Sequence, residues 1–140
     1  MVENRGAVAA DSETPLLLNP RRRPRIGLAM SSQAIVRKPL LKALLGDRNV
    51  DAVDIREIRF APGQKTNRHL HPCTVVGYIA EGTAILEIEG QPPQTLTTGS
   101  AFHEPAATVI ADFRNASDSE PLTFITFYLL DGDQQLITML

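Results

Sequence analysis

The stretch from residue 63 to residue 82, GQKTNRHLHPCTVVGYIAEG, decides the fold prediction for this chain. A glycine stands at each end, and His69 and His71 lie two residues apart between them. Side chains two apart in a β-strand project to the same face, so the two imidazoles are predicted to point together. The apolar run over residues 74–80, closed by Glu81 and Gly82, predicts a second strand directly after the histidines.

Outward from this stretch, the sequence is predicted to form short strands separated by turns. In residues 83–89, Ala84, Leu86 and Ile88 alternate with more polar positions, a period of two that is typical of a half-buried strand. Further strands are predicted over residues 53–60, 94–98, 101–104, 108–113 and 122–130. Many short strands at regular spacing, with glycine and proline between them, indicate a sandwich or a barrel.

The part before residue 51 is predicted to lie outside this β-rich region. Residues 1–25 are predicted to be a mobile leader, whose basic cluster at residues 21–25 is either a solvated charge run or a contact for an anion or a partner. Residues 26–50 are predicted to hold a strand at 26–30 and one short helix. Pro39 suits the first helical position, and Gly46 suits a left-handed end after four leucines. Residues 51–131 form the predicted β-domain, and residues 132–140 a C-terminal tail.

Composition narrows the class of protein. A chain of 140 residues with 43% hydrophobic residues fits one domain with its own core. The net charge of −2 predicts no nucleic-acid partner. Cys73 is the only cysteine, so an intrachain disulfide is excluded. No apolar run approaches the length of about 18 residues that spans a membrane, and no signal-peptide pattern opens the sequence. A cytoplasmic protein without a membrane partner is therefore expected.

The first stretch resembles the first sequence motif of the cupin superfamily, G-x5-H-x-H-x3,4-E-x6-G. Gly63, His69, His71 and Gly82 stand at the expected spacings. Val75 occupies the position at which the motif has its glutamate.

A second stretch, GSAFHEPAATVIADFRN at residues 99–115, resembles the second cupin motif, G-x5-P-x-G-x2-H-x3-N. Gly99 and Pro105 match, whereas Ala107 replaces the second glycine and Ile110 the histidine. Asn115 lies one residue beyond the expected asparagine. The resemblance covers roughly residues 53–130. It implies an all-β fold, a single cupin barrel of the jelly-roll or double-stranded β-helix type, with the one short N-terminal helix.

The resemblance also implies a metal site that keeps two of its four usual ligands, His69 and His71. Val75 and Ile110, which occupy the positions of the other two ligands, cannot coordinate an ion. The third histidine, His103, is followed by Glu104, and neighbouring strand residues face opposite ways, so only one of the two is predicted to enter the pocket. Glu104 is predicted as the third ligand, with His103 as the alternative. The expected cofactor is one divalent transition metal, or none.

Four further residues are predicted to line a substrate pocket: Val75, Tyr78, Ile110 and Tyr128. The two aliphatic residues would enlarge an apolar cavity, and the two phenols could contact a ligand. Cys73 lies close to the histidines and is either a thiol at the pocket rim or a small buried hydrophobe.

These features predict a small-molecule enzyme with His69, His71 and Glu104 as its catalytic residues. Metal-assisted or acid–base chemistry beside a carbonyl is expected, of isomerase, cyclase, lyase or dioxygenase type. The alternative is a non-catalytic ligand-binding or regulatory domain that has lost its metal. In either case the partner is a small molecule, and the resemblance implies a homodimer.

Overall fold

The computed structural model describes residues 32–140. The predicted leader and the predicted strand at residues 26–30 lie outside the described residues. Residues 38–140 belong to one compact unit.

Nine strands form two antiparallel sheets in this part of the chain. The four-stranded sheet has the order β1-β8-β3-β6, and the five-stranded sheet has the order β5-β4-β7-β2-β9. In chain order the strands are β1 Ala52–Phe60, β2 His69–Leu70, β3 Thr74–Glu81, β4 Thr83–Ile88, β5 Gln94–Thr97, β6 Ala101–Glu104, β7 Val109–Asn115, β8 Leu122–Leu130 and β9 Thr138–Met139.

The seven strands predicted within residues 53–130 are all present, with ends that differ from the prediction by at most two residues. The two shortest strands were not predicted. β2 contains His69 itself, and β9 lies in the predicted C-terminal tail. A strand of two residues is too short to show a periodic pattern, so only its pairing reveals it.

The short helix predicted between Pro39 and Gly46 is wrong: residues 32–51 contain no helix. Leu40, Leu41 and Leu45 instead line a groove on the four-stranded sheet. An isolated helix of so few residues is marginal in water, and apolar contact with a sheet competes with it directly. Gly46 has the left-handed φ of 65° that was predicted, but no helix precedes it. No helix in the described part of the chain is long and apolar enough to cross a membrane.

The core lies between the inner faces of the two sheets. In β4, Ala84, Leu86 and Ile88 are buried, as their alternation predicted. Burial of each larger aliphatic or aromatic side chain contributes about 1.5–3 kcal/mol. The four phenylalanines of this core contact one another edge-on or tilted: Phe60, Phe102, Phe113 and Phe124.

Two turn positions in the motifs, residues 82 and 107, have left-handed backbone conformations. Gly82 has a φ of 85°, and a Cβ there would lie 2.5 Å from the carbonyl oxygen of Pro121, so the position requires glycine. Ala107, at the replaced glycine of the second motif, has a φ of 57°. This left-handed backbone costs an L-residue about 1–2 kcal/mol. The Ala107 N–H donates to the carbonyl oxygen of His71 at 2.7 Å, which ties the second motif to the first.

Candidate metal centre

A cavity of about 100 Å³ lies inside the fold, with polar groups among largely apolar walls. Its walls come from strands of both sheets and from the segments beside β2 and β9. The lining residues are Ile58, Phe60, Thr66, His69, His71, Phe102, Glu104, Phe113, Phe124, Thr126, Tyr128 and Ile137.

Three of the predicted site residues converge in this cavity: His69, His71 and Glu104. Each offers one ligand atom, and these atoms lie within 4.8 Å of one another. All three side chains are buried, with relative exposures of 2%, 5% and 4%. The imidazole centroids of His69 and His71 are 5.0 Å apart, and the planes of the two rings lie at 79° to each other.

Backbone carbonyls hold the outer nitrogen of both rings. His69 Nδ1 lies 2.7 Å from the carbonyl oxygen of Asn67, and His71 Nδ1 lies 2.5 Å from that of Leu136. Because a carbonyl can only accept, each neutral ring carries its proton on Nδ1 and keeps the lone pair on Nε2. A carbonyl partner of this kind fixes the tautomer and orientation of a metal-binding histidine.

His71 and Glu104 form a buried ion pair in the structure. Nε2 of His71 lies 2.9 Å from Oε2 of Glu104. Burial alone would lower the pKa of His71, but the hydrogen bond and charge of Glu104, with the Leu136 carbonyl, outweigh it and raise that pKa above 6.5. Without a metal, His71 therefore tends to hold a second proton that it shares with the carboxylate.

The register of the four-stranded sheet explains how a carboxylate reaches the histidines although Val75 replaces the motif glutamate. Val75 on β3 lies directly opposite Glu104 on β6. Residues opposite each other in an antiparallel pair have Cβ atoms about 4.5–5.5 Å apart. The carboxylate of Glu104 thus reaches the cavity from β6, the strand next to the β3 position at which the motif has its glutamate. Ile110, at the replaced histidine, lies opposite His69.

His103 does not join this group, because neighbouring residues of a strand project to opposite faces and Glu104 projects into the cavity. It is only partly buried, and its Nε2 has no hydrogen-bond partner among residues 32–140. Burial lowers the pKa of His103, with Glu104 acting weakly in the other direction. The structure therefore brings Glu104 to the two histidines and leaves His103 on the other face of the sheet.

Of the four predicted pocket residues, only Tyr128 lines the cavity. Its ring centroid lies 5.7 Å from that of His71. Tyr78 is exposed and lines the groove on the outer face of the four-stranded sheet. Val75 and Ile110 are fully buried behind the cavity walls rather than among its lining residues. Cys73 is buried and packs with Val75 and Tyr128, and burial raises the pKa of its thiol.

Sequence reasoning missed several lining residues. Thr126 lies two positions from Tyr128 on β8, so strand alternation would have found it. Thr66 precedes the histidines in a loop, where no periodic pattern points to the cavity. Ile137 and the carbonyl of Leu136 lie within the predicted tail, and nothing in their local sequence marks them.

The donor set fits a divalent transition metal. Two imidazole Nε2 atoms with lone pairs and one carboxylate are a combination that binds such ions in proteins. The carbonyl partners on both Nδ1 atoms supply the outer contacts that such a site requires. His69, His71 and Glu104 can therefore hold a metal.

The sequence profile of the family described as "Cupin domain" matches residues 56–128, more than half of the chain. The chain belongs to the cupin family. The resemblance seen in the two motifs is confirmed, and with it the all-β jelly-roll fold of two antiparallel sheets. No curated protein sequence matches the chain.

Solved structures share the fold. A cupin-like protein from Thermotoga maritima is 22% identical, with a TM-score of 0.55, over 63% of this chain and 64% of that one. The DMSP lyase DddQ from Ruegeria pomeroyi is 19% identical, with a TM-score of 0.55, over 64% of this chain and 43% of that one. An oxalate oxidase in complex with the substrate analogue glycolate is 21% identical, with a TM-score of 0.52, over 63% and 46%. The chain thus spans less than two thirds of each of these proteins, and the likeness concerns the fold.

Proposed function

We propose that this chain is a small-molecule enzyme whose reaction takes place at His69, His71 and Glu104, beside a carbonyl group of its substrate. One observation carries the proposal: these three buried polar side chains converge in a cavity with largely apolar walls. Burial of polar and ionisable groups costs free energy, and a fold kept for packing alone would place apolar side chains there.

His69 is the proton acceptor in this proposal. Its Nδ1 donates to the Asn67 carbonyl, so its Nε2 lone pair is left for chemistry inside the cavity. A neutral imidazole can take a proton from a carbon atom beside a carbonyl. The His71–Glu104 pair holds a proton on its short Nε2–Oε2 contact and can return it to the substrate. Removal and return of a proton at neighbouring atoms is an isomerisation; its loss together with a leaving group is a lyase or cyclase step.

Tyr128 stabilises the charge that develops on the substrate. Burial raises the pKa of Tyr128, and a hydrogen bond with Thr126 opposes the shift. The phenol therefore stays protonated near neutral pH and can donate a hydrogen bond to an enolate oxygen. The phenylalanine side chains in the walls lower the local polarity, which strengthens each of these polar contacts.

A divalent transition metal bound by His69, His71 and Glu104 would supply Lewis-acid stabilisation of a carbonyl or enediol oxygen. Metal and proton compete for the same Nε2 and carboxylate atoms, since His71 and Glu104 contact each other directly. The chain can thus serve metal-assisted chemistry when the ion is bound and acid–base chemistry when the proton is bound.

The cavity supports a small substrate. Its volume of about 100 Å³ is below the roughly 300–1,000 Å³ of pockets that hold drug-sized ligands. The oxalate oxidase of similar fold is solved with glycolate, a molecule of this size class. Small oxygenated acids such as glycolate, oxalate and pyruvate are therefore the first compounds to test.

The first experiment measures the metal content of the purified, untagged protein by elemental analysis. The comparison is with a His69→Ala/His71→Ala double variant and with His103→Ala, a matched control that removes the chain's third histidine from the other face of the sheet. We expect near-stoichiometric metal in the wild type and in His103→Ala, and its loss in the double variant. Equal metal content in all three proteins would place the metal elsewhere.

The second experiment follows the proton chemistry. Pyruvate is incubated with metal-free and with Co²⁺-loaded protein in D₂O, and exchange of its methyl protons is followed by NMR. Exchange that His69→Ala abolishes and His103→Ala keeps supports the enzyme. Binding of these acids without exchange or turnover, in protein that also refuses added divalent ions, would favour the alternative of a non-catalytic ligand-binding domain.

The predicted homodimer is a further part of this proposal. The outer face of the four-stranded sheet exposes Val53 and Ile55 on its edge strand β1 and Tyr78 on β3. A second copy of the same chain would cover such a face. Light scattering after size-exclusion chromatography should give the mass of a dimer for the wild type and of a monomer for Ile55→Asp. A monomeric wild type would overturn the dimer and leave the enzyme proposal intact.

A further inference from the structure

The segment after β8 returns to the site instead of leaving the domain. Beyond Leu130, the Gly132 N–H donates to Asp51 Oδ1 at 3.1 Å, and Gln134 Nε2 donates to the Pro72 carbonyl at 3.4 Å. These contacts direct the chain back across the loop that follows His71.

The end of the segment pairs with the strand that carries His69. In the register of β2 and β9, His69 lies opposite Met139 and Leu70 opposite Thr138. The Leu140 N–H adds a hydrogen bond to the Arg68 carbonyl at 3.1 Å. The backbone on both sides of the first histidine is thus held by residues that the sequence pattern places in a tail.

Between these two anchors, Leu136 contacts the second histidine. Its carbonyl oxygen accepts from His71 Nδ1 at 2.5 Å. Its partly buried side chain packs against the buried cluster of Cys73, Val75 and Tyr128. The next residue, Ile137, lines the cavity.

We infer that the Leu136 carbonyl is a positioning element of the metal centre: it holds His71 in the tautomer and orientation that direct Nε2 toward Glu104 and the cavity. The part of the inference that concerns metal affinity rests on the proposed function. The part that concerns the tautomer does not, since it follows from the hydrogen bond alone.

His69 serves as an internal control for His71, because a different segment of the chain holds its Nδ1. The Nδ1 of His69 is held by Asn67, which precedes it in the same loop, whereas the Nδ1 of His71 is held from 65 residues away. Removal of residues 136–140 therefore deletes the partner of one ring and keeps that of the other. A chain that ends after Thr138 is the matched control, because it loses part of β9 and retains Leu136 and Ile137.

The first measurement is the tautomer of each ring in metal-free protein, from long-range ¹H–¹⁵N correlation spectra at alkaline pH, where the imidazoles are neutral. We expect the proton on Nδ1 of both rings in the full chain and in the chain that ends after Thr138. In the chain that ends after Gln135, His71 should lose this preference and His69 should keep it. If the shortest chain fails to fold, the full chain still decides: a proton on Nε2 of His71 overturns the inference.

The second measurement is the dissociation constant for Co²⁺, by equilibrium dialysis. Loss of a partner on the outer nitrogen costs about 10- to 100-fold in metal affinity, and we expect a loss of this size in the chain that ends after Gln135. The chain that ends after Thr138 should bind within a few-fold of the full chain. Equal affinity in all three overturns the positioning role, whereas absence of Co²⁺ binding in the full chain overturns the metal site and leaves the tautomer result to judge the inference.

Discussion

The two faces of the four-stranded sheet use the same strands for different purposes. On the inner face, Glu104, Thr126 and Tyr128 line the cavity beside the histidines. On the outer face, Phe127, which lies between Thr126 and Tyr128 on β8, and Tyr78 on β3 line an open groove of about 420 Å³. Because adjacent residues of a strand face opposite sides of the sheet, a shift of one residue decides whether a titratable group lies in the site or on the outer face. His103 and Glu104 are the sharpest example.

The largest expected effect compares these two neighbours by substitution. Glu104→Ala leaves His71 buried without its partner, and removal of one member of a buried ion pair costs about 3–5 kcal/mol. His103→Ala removes a ring whose Nε2 has no partner among the described residues, so we expect a change of about 0.5 kcal/mol or less. Urea unfolding of the metal-free proteins measures both. Similar losses in the two variants would contradict the division between the faces.

A second comparison tests how tightly the inner face is packed. Gly77 on β3 lies opposite Phe102 on β6, and a Cβ at this glycine would overlap the phenylalanine ring. Gly77→Ala should therefore cost about 1–3 kcal/mol, as overpacking of a core does. Gly90→Ala is its control for the loss of a glycine, since a Cβ there meets no atom, although its φ of 79° adds some backbone strain. Thermal unfolding of both variants gives the difference, and an unaffected Gly77→Ala would mean that Phe102 can move aside.

The pH dependence of stability should have opposite signs for the two faces. The pKa of His71 is raised above 6.5, so its contribution is complete below pH 6.5 and is lost as pH rises through the higher folded value. The pKa of His103 is lowered, so the unfolded chain takes up the proton first and stability is lost as pH falls below 6.5. The change caused by His71 should be smaller than the loss of stability in Glu104→Ala.

Urea unfolding of metal-free protein across this pH range gives both signs. Glu104→Gln should remove the decline above pH 6.5, and His103→Ala should remove the decline below it. If the decline at high pH persists in Glu104→Gln, a group other than the His71–Glu104 pair causes it.

The last comparison concerns two half-exposed isoleucines, Ile137 at the cavity and Ile55 on the outer face. Truncation to alanine should cost each about 1 kcal/mol or less, because half of the side chain is already in water. Only Ile137→Ala should change the cavity. In Co²⁺-loaded protein it should strengthen binding of 2-oxobutyrate relative to pyruvate, measured by titration calorimetry. An equal change in relative binding in Ile55→Ala would show that Ile137 does not determine which acid the cavity prefers.

Much of the fold could be predicted because its signals are local. The alternation in residues 83–89 gave β4 and its buried face, and the spacing of Gly63, His69, His71 and Gly82 indicated the family. Turn glycines and period-two patterns depend on neighbouring residues only, so they can be read without the rest of the molecule. The helix prediction at residues 39–46 was also local, and it failed: leucines of that segment line a groove on the sheet instead.

The sequence by itself determined that His69 and His71 point the same way and that only one of His103 and Glu104 could join them. The tertiary structure decided which one. That choice depends on the register of β3 with β6, which places Glu104 opposite Val75. It also decided that the residues after Leu130 return to hold His71, through a hydrogen bond that spans 65 residues. Strand alternation is a property of neighbouring residues, whereas register and long-range contacts are properties of the folded chain, so no local pattern records them.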